Sequence, residues 1–448
     1  MKSPLRVSPF SIHIEEEILS DLRERIHNTR WPDQAPGAAW DQGTDVEYLK
    51  QLLAYWAAGF DWRAQERELN AVHHFRVELD DVYIHFVYER AKHGNGIPLI
   101  LSHGWPSTFI ELLPLIPFLT DPYAHGIDGP AFDVVIPSLP GYGFSKRPAH
   151  VPVNYEHVGG LWHRVMRGLG YERYGAQGGD FGAGIATFMA LKNPKPMIGV
   201  HLSNLEITPY IGPGARPLSI AERSYLERNE LFWQSEGGYK AIQSTKPQTL
   251  AYGLNDSPAG LAAWILEKWR SWADSRGNLD KRFSRDFLLT IVTLYWVTQT
   301  IASSMRDYFD NDNRRFRVRI GPNEFVKVPT GIAVFANNFV DEGIPPASGP
   351  NACTTCAGGP RCRAVGPSLQ SRSPSCSRAI SQGSLPSPPK ITGADMHRQS
   401  RLYCVELPAW RFSFAKFLQS MFHGRCYCAV SACSTGRDFF GGGVHIVL

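Results

Sequence analysis

The residues best suited to chemistry are Gly178-Gly179-Asp180-Phe181-Gly182. They follow a stretch with strand character, YERYGAQG, and open one with helix character, AGIATFMALKN. A small-x-nucleophile-x-Gly turn between strand and helix lifts its central side chain clear of the backbone at the rim of a sheet. Glycines are needed where such a turn packs against itself. Here the central residue is an aspartate. A serine alkoxide suits acyl transfer, whereas a carboxylate suits displacement at a saturated carbon, giving an alkyl ester that water can later hydrolyse. The pentapeptide alone does not decide the matter, since Gly-Gly-Asp also occurs in plain turns.

Two neighbours strengthen the reading. His103-Gly104-Trp105-Pro106 follows the apolar run PLILS, and Leu139-Pro140-Gly141-Tyr142-Gly143-Phe144-Ser145 follows FDVVIPS. A loop in the first position would supply one backbone N–H to an oxyanion hole, and the residue after the nucleophile the other. Those residues are Trp105 and Phe181. His103 is read as a structural loop histidine, because such a site needs the backbone more than the imidazole.

These loops must be carried by a sheet. PLILSHG (98–104), FDVVIPSL (132–139) and MIGVHLSN (197–204) are short apolar runs of the kind buried in a parallel sheet. Helical segments are expected at 109–119, 155–169 and 183–193. This β-α-β rhythm points to a doubly wound α/β domain. Before it come helices over 11–30 and 45–60 and two alternating strands, 73–79 and 82–90, turning at Asp80-Asp81. After it, 205–315 is rich in Trp, Leu and Tyr without strand pattern and reads as a helical cap. Strand pattern returns at 328–336.

Composition sets limits. In 448 residues, 43% are hydrophobic and 20% charged, as expected of a globular chain. Forty-six basic against 42 acidic residues leave +4, no electrostatic footprint for nucleic acid. No run of 18 apolar residues suggests a membrane span, and Met1 to Glu17 has no apolar secretory core. A cytoplasmic location is expected. All 8 cysteines lie beyond Gly349, from Cys353 to Cys433. Cys353-x-x-Cys356 would be half a zinc site, but no second pair or histidine has suitable spacing, so no metal is expected.

HGWP, LPGYGFS and GGDFG, in this order and behind an N-terminal segment of this kind, resemble the microsomal-type epoxide hydrolases. The likeness spans roughly residues 8–347. It implies an α/β-hydrolase core, an N-terminal wrapping segment and a helical cap. The corresponding division is 1–95, 96–204, 205–315 and 316–347, followed by 348–448 as an irregular or disordered, non-native tail. The resemblance further implies that Asp180 attacks an epoxide carbon while two cap tyrosines, matching Tyr239 and Tyr308, donate to the epoxide oxygen. Ring opening develops an alkoxide, and a phenol donates well to it in a dry pocket. The substrate would be a small to medium lipophilic epoxide, with no cofactor. The chain would be a soluble relative without the membrane anchor of the animal members, able to form a homo-oligomer, in detoxification or aromatic hydrocarbon catabolism. A haloalkane dehalogenase also uses an elbow aspartate, but that family lacks the long N-terminal segment and the tyrosine pair.

The second half of the reaction lacks its expected groups. In the family a carboxylate after the late strand orients a histidine in a GGHF motif, which activates water. Here the acid's position holds Asn338, with Asp341 and Glu342 as nearby substitutes, and no GGHF follows. The only histidines beyond His201 are His397, His423 and His445, in unpatterned sequence; all three are read as bystanders. Codons compatible with Ser348 to Ile380, read from the third base of each, can spell EWAERLYNVRRWTPMPRGG, one further residue, then FAAVEEPELLARDI. That is the helix, strand, loop and amphipathic helix that the family should carry. A frameshift near Ala347 to Ser348 is therefore inferred. The undetermined codon spans the third base of Gly366 and the first two of Pro367, so it ends in CC, and a histidine codon begins with CA. Base and acid both look lost. The alternatives are a catalytically dead binding protein that keeps the cap pocket, or a pseudogene product without a stable fold.

Overall fold

The computed structural model describes residues 5–80, 82–203, 211, 217–313, 315–318, 320 and 324–333. Asn338, Asp341, Glu342, His397, His423, His445 and every cysteine lie outside the described residues, as does the expected tail.

The elements run β1 (Val7–Phe10), α1 (Glu16–His27), α2 (Val46–Ala58), α3 (Trp62–Leu69), β2 (His74–Leu79), β3 (Val82–Glu89), β4 (Ile97–Ser102), a 3₁₀ turn (Phe109–Leu115) leading into α4 (Ile116–Thr120), β5 (Phe132–Pro137), α5 (Tyr155–Gly168), β6 (Tyr174–Gly179), α6 (Phe181–Lys192) and β7 (Met197–Ser203). Then come seven helices, α7 (Ile220–Glu236), α8 (Gly238–Thr245), α9 (Pro247–Asp256), α10 (Pro258–Trp272), α11 (Leu279–Arg282), α12 (Arg285–Thr298) and α13 (Ile301–Asp312), and finally β8 (Thr330–Ala333).

The eight strands form one sheet in the order β1-β2-β3-β5-β4-β6-β7-β8. The strands β1, β2, β3 and β5 pair antiparallel, while β5, β4, β6, β7 and β8 run parallel. The parallel strands read as continuous apolar runs because both faces are covered; every residue of β5 is buried. Leu79 pairs with Val82, so β2 and β3 join across two positions as expected, and Asp80 has φ 59°.

Three elements differ from expectation. The helix expected over 109–119 divides, because Pro114 has no N–H for an α-helical ladder and Pro117 suits the first turn of a new helix. Strand β1 and helix α3 were not anticipated. The former is four residues long and contains Pro9, and it becomes a strand only by pairing with β2, Val7 opposite Val77. The latter is eight residues capped by the Asp61 carboxylate, which accepts from Ala64 N–H.

The N-terminal helices bind the seven-helix stretch directly. Trp56 Nε1 donates to Thr293 Oγ1 at 2.9 Å, Tyr55 OH to Asp286 at 2.7 Å, and Thr44 Oγ1 to the Ala263 carbonyl at 2.8 Å. Among the described residues no single helix is long and apolar enough to cross a membrane. The pair α12 and α13 together has the composition, but it is bent by 88° and Leu288–Val297 is buried inside the fold.

Candidate active site

The site begins where β6 ends. Asp180 stands between β6 and α6 with φ 53° and ψ −130°, outside the comfortable regions for an L-residue. The bend tolerates this because its flanks are glycines. A Cβ on Gly178 would run into the Gly182 carbonyl, and one on Gly182 would run into the Ser102 carbonyl at the end of β4. The glycines thus let β4, β6 and α6 close up beneath the carboxylate. Helix α6 is buried from Phe181 to Ala190, with no polar face, as befits a helix enclosed by the core.

One carboxylate oxygen, Asp180 Oδ1, accepts from two backbone amides, Trp105 N–H at 3.0 Å and Phe181 N–H at 2.7 Å. These are the two donors expected from the sequence. Gly104 is also constrained, since a Cβ there would overlap the Asp180 carboxylate.

Tyr239 on α8 and Tyr308 on α13 both reach this place. The Tyr239 ring stacks on Trp105 at 5.5 Å and 4°. The Tyr308 ring meets Phe181 edge-on at 4.7 Å and Trp105 at 5.7 Å, and the two tyrosine rings lie 5.6 Å apart. So the two residues whose amides hold Asp180 also carry the rings that touch both phenols. Both tyrosines are buried. Burial pushes the Tyr308 hydroxyl well above the ordinary phenol range, and the nearby Tyr239 and the negative Asp180 push it the same way. It stays protonated, the state required of a donor.

His103 is enclosed. Its Nδ1 lies 3.2 Å from the Gly104 carbonyl and its Nε2 accepts from Leu139 N–H, also at 3.2 Å. Both ring nitrogens are thus engaged with backbone, and burial lowers its pKa to about 4. It joins the HGWP loop to the LPGYGFS loop as a neutral imidazole.

Other side chains at the site were not anticipated. Trp272 on α10 packs against Tyr239 at 4.9 Å and Trp105 at 6.2 Å. Lys268, one turn earlier, sits over the Tyr239 ring at 5.2 Å and pairs with Glu267 at 2.5 Å. The aromatic density of WILEKWRSW was the only sequence signal for either. Among the described residues no group of three His, Cys, Asp or Glu side chains could hold a metal.

Comparison with known proteins agrees with this geometry. The family model described as alpha/beta hydrolase fold matches residues 97–292, and the sheet and elbow place the chain in that class of proteins. The model described as epoxide hydrolase N terminus matches residues 7–112. Epoxide hydrolase 1 of Sus scrofa is 36% identical over 364 residues, 75% of this chain and 79% of that protein. The crystal structure of juvenile hormone epoxide hydrolase from the silkworm Bombyx mori is 32% identical, covers 73% of this chain and 80% of its own, and superposes with a TM-score of 0.62. For the Aspergillus niger epoxide hydrolase structure the figures are 27%, 75%, 86% and 0.64. The chain belongs to the epoxide hydrolase family, enzymes that hydrolyse epoxides.

Proposed function

We propose that Asp180 opens a lipophilic epoxide by attack on carbon, and that the chain as written stalls at the resulting ester. The observation supporting the first half is one carboxylate held by two backbone amides, with two buried tyrosines packed on the rings of the residues that supply those amides. The oxygen held by Trp105 and Phe181 becomes the ester carbonyl oxygen, and the other oxygen forms the C–O bond. As the ring opens, the epoxide oxygen takes a proton from Tyr308 or Tyr239, and water later restores the phenol. No cofactor takes part. The same two amides would stabilise the oxyanion formed when water attacks the ester carbon.

That second attack needs a base, and the sequence carries none at the expected place. Asn338 stands at the orienting acid's position, and His397, His423 and His445 lie in unpatterned sequence. The proposed organisation is an N-terminal segment over 1–95, a core over 96–204 and 316–347, a cap over 205–315, and a frame-shifted stretch over 348–448. The proposed substrate is a small to medium lipophilic epoxide; the rings of Trp105 and Phe181, whose amides hold the carboxylate, pack with those of Tyr239, Tyr308 and Trp272 into an apolar aromatic cluster.

Intact-mass spectrometry after incubation with styrene oxide tests the reading. One styrene oxide per chain, localised to the peptide carrying Asp180 and absent from Asp180→Asn, is the expected result. A second reading, a reversible ligand-binding protein, takes its support from the same missing base and acid. It requires binding without an adduct. Resequencing the gene across Ala347 tests the frameshift; an intact frame with a histidine codon would remove the stall.

A further inference from the structure

The helix that carries Tyr308 is fastened to the core by a buried ion cluster. Four of its residues, Ser303, Asp307, Asp310 and Asn311, recur at helical spacing and so share one face. All four bond to the segment that follows β5. Ser303 Oγ donates to the Gly141 carbonyl. Arg147 donates through Nη1 to the Ser303 carbonyl at 2.9 Å and to Asp307, and through Nη2 to Asp310 at 2.6 Å. Asp310 also accepts from Val153 N–H at 2.6 Å, and Asn311 Oδ1 accepts from Tyr155 N–H at 3.0 Å. The cluster is enclosed: the side chains of Arg147, Asp307 and Asp310 are 8%, 5% and 13% exposed.

A planar guanidinium bonded to two carboxylates and a carbonyl fixes both the axial position and the rotation of the helix, which a flexible ammonium would not. Tyr308 follows Asp307 directly, on the neighbouring face, against Phe181 and Trp105. The burial that raises the Asp307 carboxyl to about 6 shows how little solvent the cluster retains. A register defined in this way is transmitted to the phenol one residue along.

We propose that Arg147 is a positioning residue for epoxide opening: by gripping Asp307 and Asp310 it sets the Tyr308 hydroxyl against Asp180. The inference rests on the roles given above to Asp180 and Tyr308. A displaced phenol still permits substrate entry but loses proton donation, and a misplacement of about 1 Å costs roughly 10²-fold in rate.

The test is a double-mutant cycle on the full chain, reading the single-turnover rate of styrene oxide adduct formation for wild type, Arg147→Met, Tyr308→Phe and the double variant. Arg147→Met is expected to slow alkylation by about 10²-fold with the concentration dependence kept within a few-fold, and to add almost nothing in the Tyr308→Phe background. Equal losses in both backgrounds would show that Arg147 acts on the fold at large and would overturn the proposal. If Arg147→Met does not fold, Arg147→Lys keeps the charge and loses the fork, and the same cycle with it decides. No adduct on wild type would sink the Asp180 reading itself; an adduct with additive losses would sink only this one.

Discussion

On the proposed function, the two half-reactions of an epoxide hydrolase fall on two unlike stretches of this chain. The groups proposed for ring opening sit between Trp105 and Tyr308, on elements whose patterns match their positions: an apolar strand before each loop, glycines where backbones touch, and two buried tyrosines on helices. The groups for ester hydrolysis belong after β8, where the sequence offers Asn338, no GGHF and eight cysteines in unpatterned surroundings. If the proposed function holds, the difference makes alkylation and hydrolysis separable properties of the fold. The first needs a carboxylate, two amides and a proton donor; the second needs a base delivered by a different part of the chain.

The comparison breaks most easily at its first member. Asp180→Asn should lower adduct formation by on the order of 10⁴-fold or more, since a nucleophile has no substitute within the site. Tyr308→Phe should slow alkylation by about 10²- to 10⁴-fold, the usual worth of a positioned general acid. Wild-type alkylation should not decline from pH 7 to pH 10, because the donor must be protonated and burial holds Tyr308 well above the ordinary phenol value. Quenched single-turnover reactions followed by mass check both statements. Gly182→Ala drives a methyl group at the Ser102 carbonyl, so a loss of about 1–3 kcal/mol in a denaturant melt is expected.

The smallest effect concerns the clamp beside the site. Burial raises Asp307 from 3.8 to about 6, against the pull of Arg147. The folded state therefore holds this proton more tightly than the unfolded chain. Its contribution is most favourable below the unfolded value and is lost as pH rises through about 6. Asp307→Asn removes that dependence while keeping an oxygen for Arg147. The melting temperature of Asp307→Asn relative to wild type should rise between pH 4 and pH 7, which thermal melts at both ends will show.

How much of this was legible varied by residue. The elbow was readable because its chemistry is local: a carboxylate where other elbows carry an alkoxide, with glycines beside it. The two amide donors followed from the same turn and from the loop after β4. Tyr239 and Tyr308 had no local signature, since a buried helical tyrosine looks the same whether it packs or donates; only the family likeness singled them out. Arg147 was missed because its partners lie 160 and 163 positions away and nothing in either stretch announces the pairing. Strand β1 was missed for the same reason, its pairing being made 70 residues on. The division of the helix at 109–119 was in the sequence, in Pro114 and Pro117, and apolar periodicity overrode it.

The most direct test is the amount of styrene glycol released per chain over time, taken alongside the mass of the protein. The proposed stall requires less than one glycol per chain while nearly all of the protein carries the adduct. Sustained release of many glycols per chain, from protein whose mass stays that of the free form, would contradict it.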